Sequence, residues 1–247
     1  MGAGAGGTAS GPRPDAALPE RVVTRLLIVL TAASGCLDAV CVSRLGGLFA
    51  SVITGNLIQL GRSITTTDAR LATGAATAVG GYALGVAVGT AALGRCGAGW
   101  LRRTSVVAAV EVVLLAGVAA GWLATAAHPG RLAAPSLLAT AAAAMGVQSA
   151  LTVSSGGPGA STTYLTGTLT GVVRTLTVDP HRFAAGAGGG TRLAALLCGA
   201  IVGALVLRVA PSLALVPPTA LVAAAVVAAA LTRPRPSSTP DGGRSTT

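Results

Sequence analysis

The fold turns on LFASVITGNLIQLGRSIT, residues 48–65, and on its echo TTYLTGTLTGVVRTLT, residues 162–177. At a shift of 112 the stretches coincide at Thr54/Thr166, Gly55/Gly167, Leu57/Leu169, Arg62/Arg174 and Thr65/Thr177, with Ser63/Thr175 and Ile64/Leu176 close. Each copy interrupts an apolar run with a glycine between hydroxyl or amide side chains: Thr54, Gly55 and Asn56 in the first, Thr166, Gly167 and Thr168 in the second. In a membrane such a stretch breaks a helix and frees backbone polar groups, which is tolerated only where protein or a water-filled cavity receives them. The echo extends upstream with a one-residue slip: Gly146-Val147-Gln148-Ser149-Ala150 stands opposite Gly35-Cys36-Leu37-Asp38-Ala39 at a shift of 111. The chain therefore reads as two repeated halves, 21–127 and 128–232, between disordered tails at 1–20 and 233–247.

Outward from these stretches the chain is apolar. Of 247 residues 52% are hydrophobic and 10% charged, with a mean hydropathy of +0.74; a water-soluble fold of that composition lacks the polar surface to cover itself. Apolar runs recur at about 22–43, 71–94, 104–126, 132–153, 191–209 and 213–232, near the roughly 20 residues a helix needs to cross a bilayer. Segments 47–62 and 161–178 are shorter. Alternating ten-residue segments are absent, which argues against a β-barrel. The expected fold is an all-α integral membrane bundle of six to eight segments, with segments two and six short or broken at glycine. Gly81, Gly85 and Gly89, and again Gly199 and Gly203, recur every four residues and mark helix faces built for close packing. Pro217-Pro218 is expected to end or kink the last span. Trp100 and Trp122, near the ends of span four, suit the interfacial belt.

The net charge of +10 comes with 17 basic residues, all of them Arg, most flanking apolar runs. They read as topology signals and not as a nucleic-acid footprint. If all eight segments cross, the Arg-poor side holds Arg44, Arg95, Arg102, Arg103 and Arg208. If segments two and six re-enter, it holds Arg44, Arg62, Arg70, Arg131 and Arg208. The split is 12 to 5 either way, and both arrangements put the termini in the cytoplasm. Four crossings per half give parallel repeats; three plus a re-entrant segment give inverted ones.

Several chemistries are disfavoured. The absence of Lys removes a phosphate-loop lysine, a Schiff base and a Ser-Lys dyad. Cys36, Cys41, Cys96 and Cys198 lack zinc spacing, and His128 and His181 stand alone in loops, so neither a metal site nor a disulfide framework is expected. With no Gly-x-Ser-x-Gly elbow and no paired intramembrane carboxylates, neither an enzyme nor a cofactor is expected. Residues 1–20 lack the apolar core of a signal peptide, and Gly6 stands where N-myristoylation needs Ser or Thr.

The run G-x-x-D-A (Gly35 to Ala39), LGGLFASVITGN (Leu45 to Asn56), MGVQSA (Met145 to Ala150) and STTYLTGT (Ser161 to Thr168) together resemble the YoaK family of bacterial inner-membrane proteins, over roughly residues 22–232. The resemblance implies a multi-pass plasma-membrane protein of an uncharacterised family in which transport is often suspected. The chain departs from the expected pattern at Ser149, a short hydroxyl after Gln148.

Asp38 is the sharpest candidate, because a carboxylate inside a membrane helix costs several kcal/mol unless it is paired, protonated or facing water. It either binds a cation or proton, or it salt-bridges Arg44 or caps the next helix. Thr54, Gly55, Asn56, Thr166, Gly167 and Thr168 either bring two half-helix ends to a common binding site or serve ordinary helix packing. Gln148 joins that site or bonds a neighbouring helix. Glu111 pairs with an Arg across the bundle or faces water. These residues lead to the expectation of a transporter for a small solute or ion, with the lipid bilayer as partner and no nucleic acid. The alternative is a membrane scaffold or subunit whose motifs only pack helices.

Overall fold

The computed structural model describes residues 17–94, 99–155, 165–178 and 183–233, and of residues 183–187 the backbone alone. All regular structure among the described residues is helical. The helices are α1 Glu20–Arg44, α2 Ile53–Thr65, α3 Ala69–Leu93, α4 Arg102–Ala124, α5 Ala133–Ser155, α6 Leu165–Val178, α7 Phe183–Val209 and α8 Val216–Leu231. Residues 1–16 and 234–247 of the expected tails, the Gly156–Gly159 break, Ser161–Tyr164, Cys96 and His181 lie outside the described residues.

Six helical segments among the described residues are long and apolar enough to cross a membrane: α1, α3, α4, α5, α7, and Pro211–Leu231, in which a short helical turn at Pro211–Leu213 runs into α8. The other two, α2 and α6, have 13 and 14 residues. At 1.5 Å per residue they reach only about 20 Å, short of a hydrocarbon core of about 30 Å. Eight full crossings are therefore not built.

Contacts between loops define two ends of the bundle. At one end, Arg44 at the close of α1, Asp68–Leu71 at the start of α3 and Pro129–Leu132 before α5 line a common cavity, and Trp122 Nε1 donates to Pro211 O before α8. At the other end, Leu18 N donates to Trp100 O and Gly99 N to Ser154 O, while Arg233 Nη2 donates to Leu101 O. The long helices run between these ends. Helix α2 does not: its N-terminus lies beside Tyr82, half-way along α3, and its C-terminus returns to the end that α1 has just reached. The chain between α1 and α2 thus dips into the bundle and comes back.

Small residues set the closest helix contacts. A Cβ on Gly85 would collide with Ala143 O of α5, and one on Gly199 with Ala32 O of α1. Gly81 and Gly89 of α3 face Ala139 and Val147 of α5, and Gly203 of α7 faces Cys36 of α1. Gly146 of α5 faces Tyr82 O, and Gly35 of α1 faces Leu196 O of α7. No side chain larger than hydrogen fits these positions without parting the backbones. The principal pairings, α3 with α5 and α1 with α7, run between the two halves of the chain.

Pro217-Pro218 does mark a helix end: α8 starts at Val216 and the pair occupies its first turn, where the missing N–H costs nothing because that group has no intrahelical partner. Two expectations change in the structure. Trp100 and Trp122 are 1% and 0% exposed and spend their indole N–H groups on Ser105 Oγ and Pro211 O, each at 2.9 Å, so they pack within the protein. Glu111 is fully buried, and neither carboxylate oxygen has a hydrogen-bond partner among the described residues. At the start of the chain Leu18 is likewise buried.

Candidate functional site

The site is built on residues 45–52, the segment that dips into the bundle. Gly46 and Gly47 turn the chain back after α1 with φ of +84° and +75°, a region that L side chains rarely occupy. Leu45, Leu48 and Ala50 are then buried. A buried irregular segment must find partners for its backbone groups, and two side chains provide them. Asp38 Oδ1 accepts from the N–H groups of Ala50 (2.7 Å) and Ser51 (2.9 Å), and Oδ2 accepts from the Ser51 hydroxyl. Asn56, fully buried, accepts from Phe49 N through Oδ1 at 2.9 Å and donates to Phe49 O through Nδ2 at 2.7 Å. Asp38 thus serves the turn that leads into α2, and Arg44 forms no ion pair with it. A Cβ on Gly55 would lie 3.3 Å from the Phe49 ring, so this glycine leaves room for the ring that the loop folds over.

Beyond this loop opens a cavity of about 560 Å³, lined by Ser51, Thr54, Tyr82, Thr90, Ser149 and Thr166 between apolar walls from Val86, Leu93 and Val153. Among the described residues no charged one lines it. It extends from the middle of α3 to Gly94, and the N-terminal turns of α2 and α6 meet there through Thr54 and Thr166. Tyr82 Oη donates to Ser149 Oγ at 2.7 Å across α3 and α5. Ser149, the apparent departure from the motif, therefore obtains polar reach from a neighbouring phenol.

A second cavity, of about 620 Å³, lies at the end where α1 closes, and Leu45, Gly46 and Leu48 form part of its wall. The segment 45–52 therefore runs from one cavity to the other.

Of the residues singled out from sequence, the first cavity gathers Thr54 and Thr166. Asp38 and Asn56 sit behind it, bonded to the loop. Gly167 and Thr168 are half-buried, with Thr168 against α7, where its Cγ2 would lie 3.1 Å from a Cβ on Gly189. Gln148 is fully buried and donates through Nε2 to Leu30 O at 3.2 Å, tying α5 to α1. Ser51, Tyr82 and Thr90 were not foreseen. For Tyr82 a signal existed: one of two tyrosines in the chain, it adjoins Gly81 on a face otherwise made of small residues.

Six apolar spans, two half-length helices and a cavity at their ends define a multi-pass helical membrane protein. The profile of a family described as "protein of unknown function (DUF1275)" matches residues 26–228, and the chain belongs to that family. No curated protein and no solved structure matches the chain.

Proposed function

We propose that the protein moves a small polar solute or ion across the cytoplasmic membrane by exposing the 560 Å³ cavity to one side and then the other. The observation that carries this reading is the meeting of Thr54 and Thr166 in that cavity, at the N-terminal turns of two helices too short to cross. Apolar walls with a few convergent hydroxyls are the usual composition of a small-molecule site, and the two helix N-termini add partial positive charge. The segment 45–52 is the barrier towards the second cavity. Asp38 and Asn56 position it, Gly46 and Gly47 are its hinge, and Thr54, Ser149 and Thr166 contact the solute.

The same reading takes the halves as inverted repeats. Its support is the pattern of close contacts: Gly35 with Leu196 against Gly146 with Tyr82, Gly199 with Ala32 against Gly85 with Ala143, and Gly203 with Cys36 against Gly89 with Val147. In every case the first-span residues differ by 111 and the third-span residues by 114. Three crossings per half put both termini on the Arg-rich side, which we assign to the cytoplasm.

A scaffold without transport is the second reading, favoured by the burial and full bonding of Asp38 and Asn56. Single cysteines at Thr54, Ser149 and Thr166, with Cys36, Cys41, Cys96 and Cys198 replaced, separate the two. Transport requires labelling by a membrane-impermeant thiol reagent that depends on the side of addition and is blocked by a candidate solute. An inserted, folded protein that labels from neither side refutes transport and leaves the scaffold.

A further inference from the structure

The second cavity carries charge that the transport reading does not use. Its wall includes Arg44, the last residue of α1, Arg70, in the first turn of α3, and Arg131, in the link between α4 and α5. Three separate elements therefore bring three arginines to the wall of one concavity of about 620 Å³. Of the described arginines this end of the bundle holds Arg44, Arg62, Arg70, Arg131 and Arg208, and three of them share this cavity. Among the described residues none of the three guanidinium groups makes a hydrogen bond or ion pair. Asp68 is the one carboxylate in the wall, and its Oδ1 is already engaged by the N–H groups of Arg70 and Leu71, both at 3.0 Å. The cavity is thus left with a net positive charge and a surplus of donors.

We propose that this cavity is a binding site for a phosphate group. Guanidinium is a planar fork that pairs two donors with two oxygens of a phosphate, and phosphate has enough acceptor oxygens for three forks arriving from different sides. The position also suits it. Helices α1 and α3, at 25 residues each, are about 37 Å long and outreach a hydrocarbon core of about 30 Å, so their ends stand at headgroup level. Leu132, next to Arg131, is 87% exposed and faces outward at that level. The phosphate arrives either on a water-soluble solute or as the headgroup of an anionic phospholipid. This proposal stands apart from transport, since it concerns binding at the opposite end from the hydroxyl-lined cavity.

The test uses the full-length protein in two arms. In neutral detergent, inorganic phosphate is titrated against chloride at constant ionic strength while the thermal unfolding midpoint is followed. In nanodiscs of mixed phosphatidylglycerol and phosphatidylcholine, lipids retained on release are identified by native mass spectrometry. Saturable stabilisation by phosphate supports the site with a soluble source; selective retention of phosphatidylglycerol supports it with a headgroup source. Arg44→Gln, Arg70→Gln and Arg131→Gln each weaken the response about tenfold, the loss expected for one charge-assisted pair, while Arg62→Gln and Arg208→Gln leave it unchanged. Arg→Lys at the three positions, which keeps charge and loses the fork, restores folding where Gln does not and still weakens phosphate. The proposal is overturned if neither phosphate nor phosphatidylglycerol is distinguished from its control, or if the two outlying arginines matter as much as the three in the cavity.

Discussion

Replacing Asp38 separates its role as a hydrogen-bond acceptor from its role as a charge. In Asp38→Ala the N–H groups of Ala50 and Ser51 lose their acceptor in a buried place, and the Ser51 hydroxyl loses its partner. A buried donor left unsatisfied costs about 1–3 kcal/mol. With two N–H groups and a hydroxyl that can partly reorient, the loss is about 3–5 kcal/mol. Asp38→Asn keeps an oxygen where Oδ1 stands and turns an amide N–H towards Ser51 Oγ, whose own proton is free to rotate away. Three bonds survive in neutral form, so the loss is about 1 kcal/mol.

The assay is reversible unfolding in mixed micelles, read beside thiol labelling at Thr54→Cys. Asp38→Ala releases the segment 45–52 and raises labelling at position 54; Asp38→Asn leaves labelling near that of the parent. Two results refute the reasoning. Asp38→Ala within about 0.5 kcal/mol of the parent would mean that the bonds to Ala50 and Ser51 do not hold the loop, since that is the range of an ordinary surface change. Equal losses in Ala and Asn would mean that the negative charge, and not the acceptor geometry, is what the site needs.

Other substitutions follow from the same geometry. Gly85→Ala and Gly199→Ala force a methyl against a backbone carbonyl and should each cost about 1–3 kcal/mol of bundle stability, while Gly61→Ala and Gly117→Ala, where a Cβ meets nothing within 4 Å, are neutral or stabilising by up to about 1 kcal/mol; unfolding in mixed micelles reads both. Glu111→Leu removes a buried carboxyl with no hydrogen-bond partner among the described residues and should stabilise the protein by roughly 1–3 kcal/mol, so a destabilised variant would contradict the apolar surroundings assigned to it. Trp122→Phe removes the indole N–H given to Pro211 O, an acceptor that keeps the N–H of Ala214, and should lower stability by about 0.5–1.5 kcal/mol in the same measurement.

What could be read from the sequence divides along the range of the interactions. Length and hydropathy are local, and they located six long spans and two short ones to within four residues at most ends; α2 starts six residues later than the segment 47–62, and α7 starts eight residues earlier than the run 191–209. Glycines at four-residue spacing announce a face, and Gly81, Gly85 and Gly89 do lie on one. The identity of the partner is not local. Nothing in Gly85 says that it meets Ala143 in the other half and not a helix of its own. The segment 45–52 was also hidden, because Leu48, Phe49 and Ala50 look like the start of an apolar span; only Asp38 and Asn56 turn them into a buried loop. Those two residues stood out as buried polar groups, and capping of the next segment was one of the alternatives for Asp38. What sequence lacked was the acceptor geometry that distinguishes it from an ion site. Glu111 failed for a similar reason: an arginine partner or contact with water was expected from the cost of burial, yet the side chain is fully buried, and α5 and α8, which pack against α4, contain no charged residue.

The distribution of burial indicates which parts of the bundle can move. The α1–α7 and α3–α5 pairs meet through glycines with backbone in contact, a geometry with no slack for relative displacement. Helix α2 is held differently. It packs chiefly on α3, and of its 13 residues only Asn56 and Ser63 are buried; α6 packs chiefly on α7, with only Leu165 buried. Leu57, Ile58 and Ile64 are 50%, 73% and 74% exposed, which in a bilayer sets them against lipid. Elements with few buried contacts open at lower free energy than the core they lie on. On the transport reading, then, the two interlocked pairs form the frame, and α2 with residues 45–52 is the part that changes position. Its restraint is the set of hydrogen bonds from Asp38 and Asn56, whose release would open the path between a hydroxyl-lined cavity and an arginine-lined one.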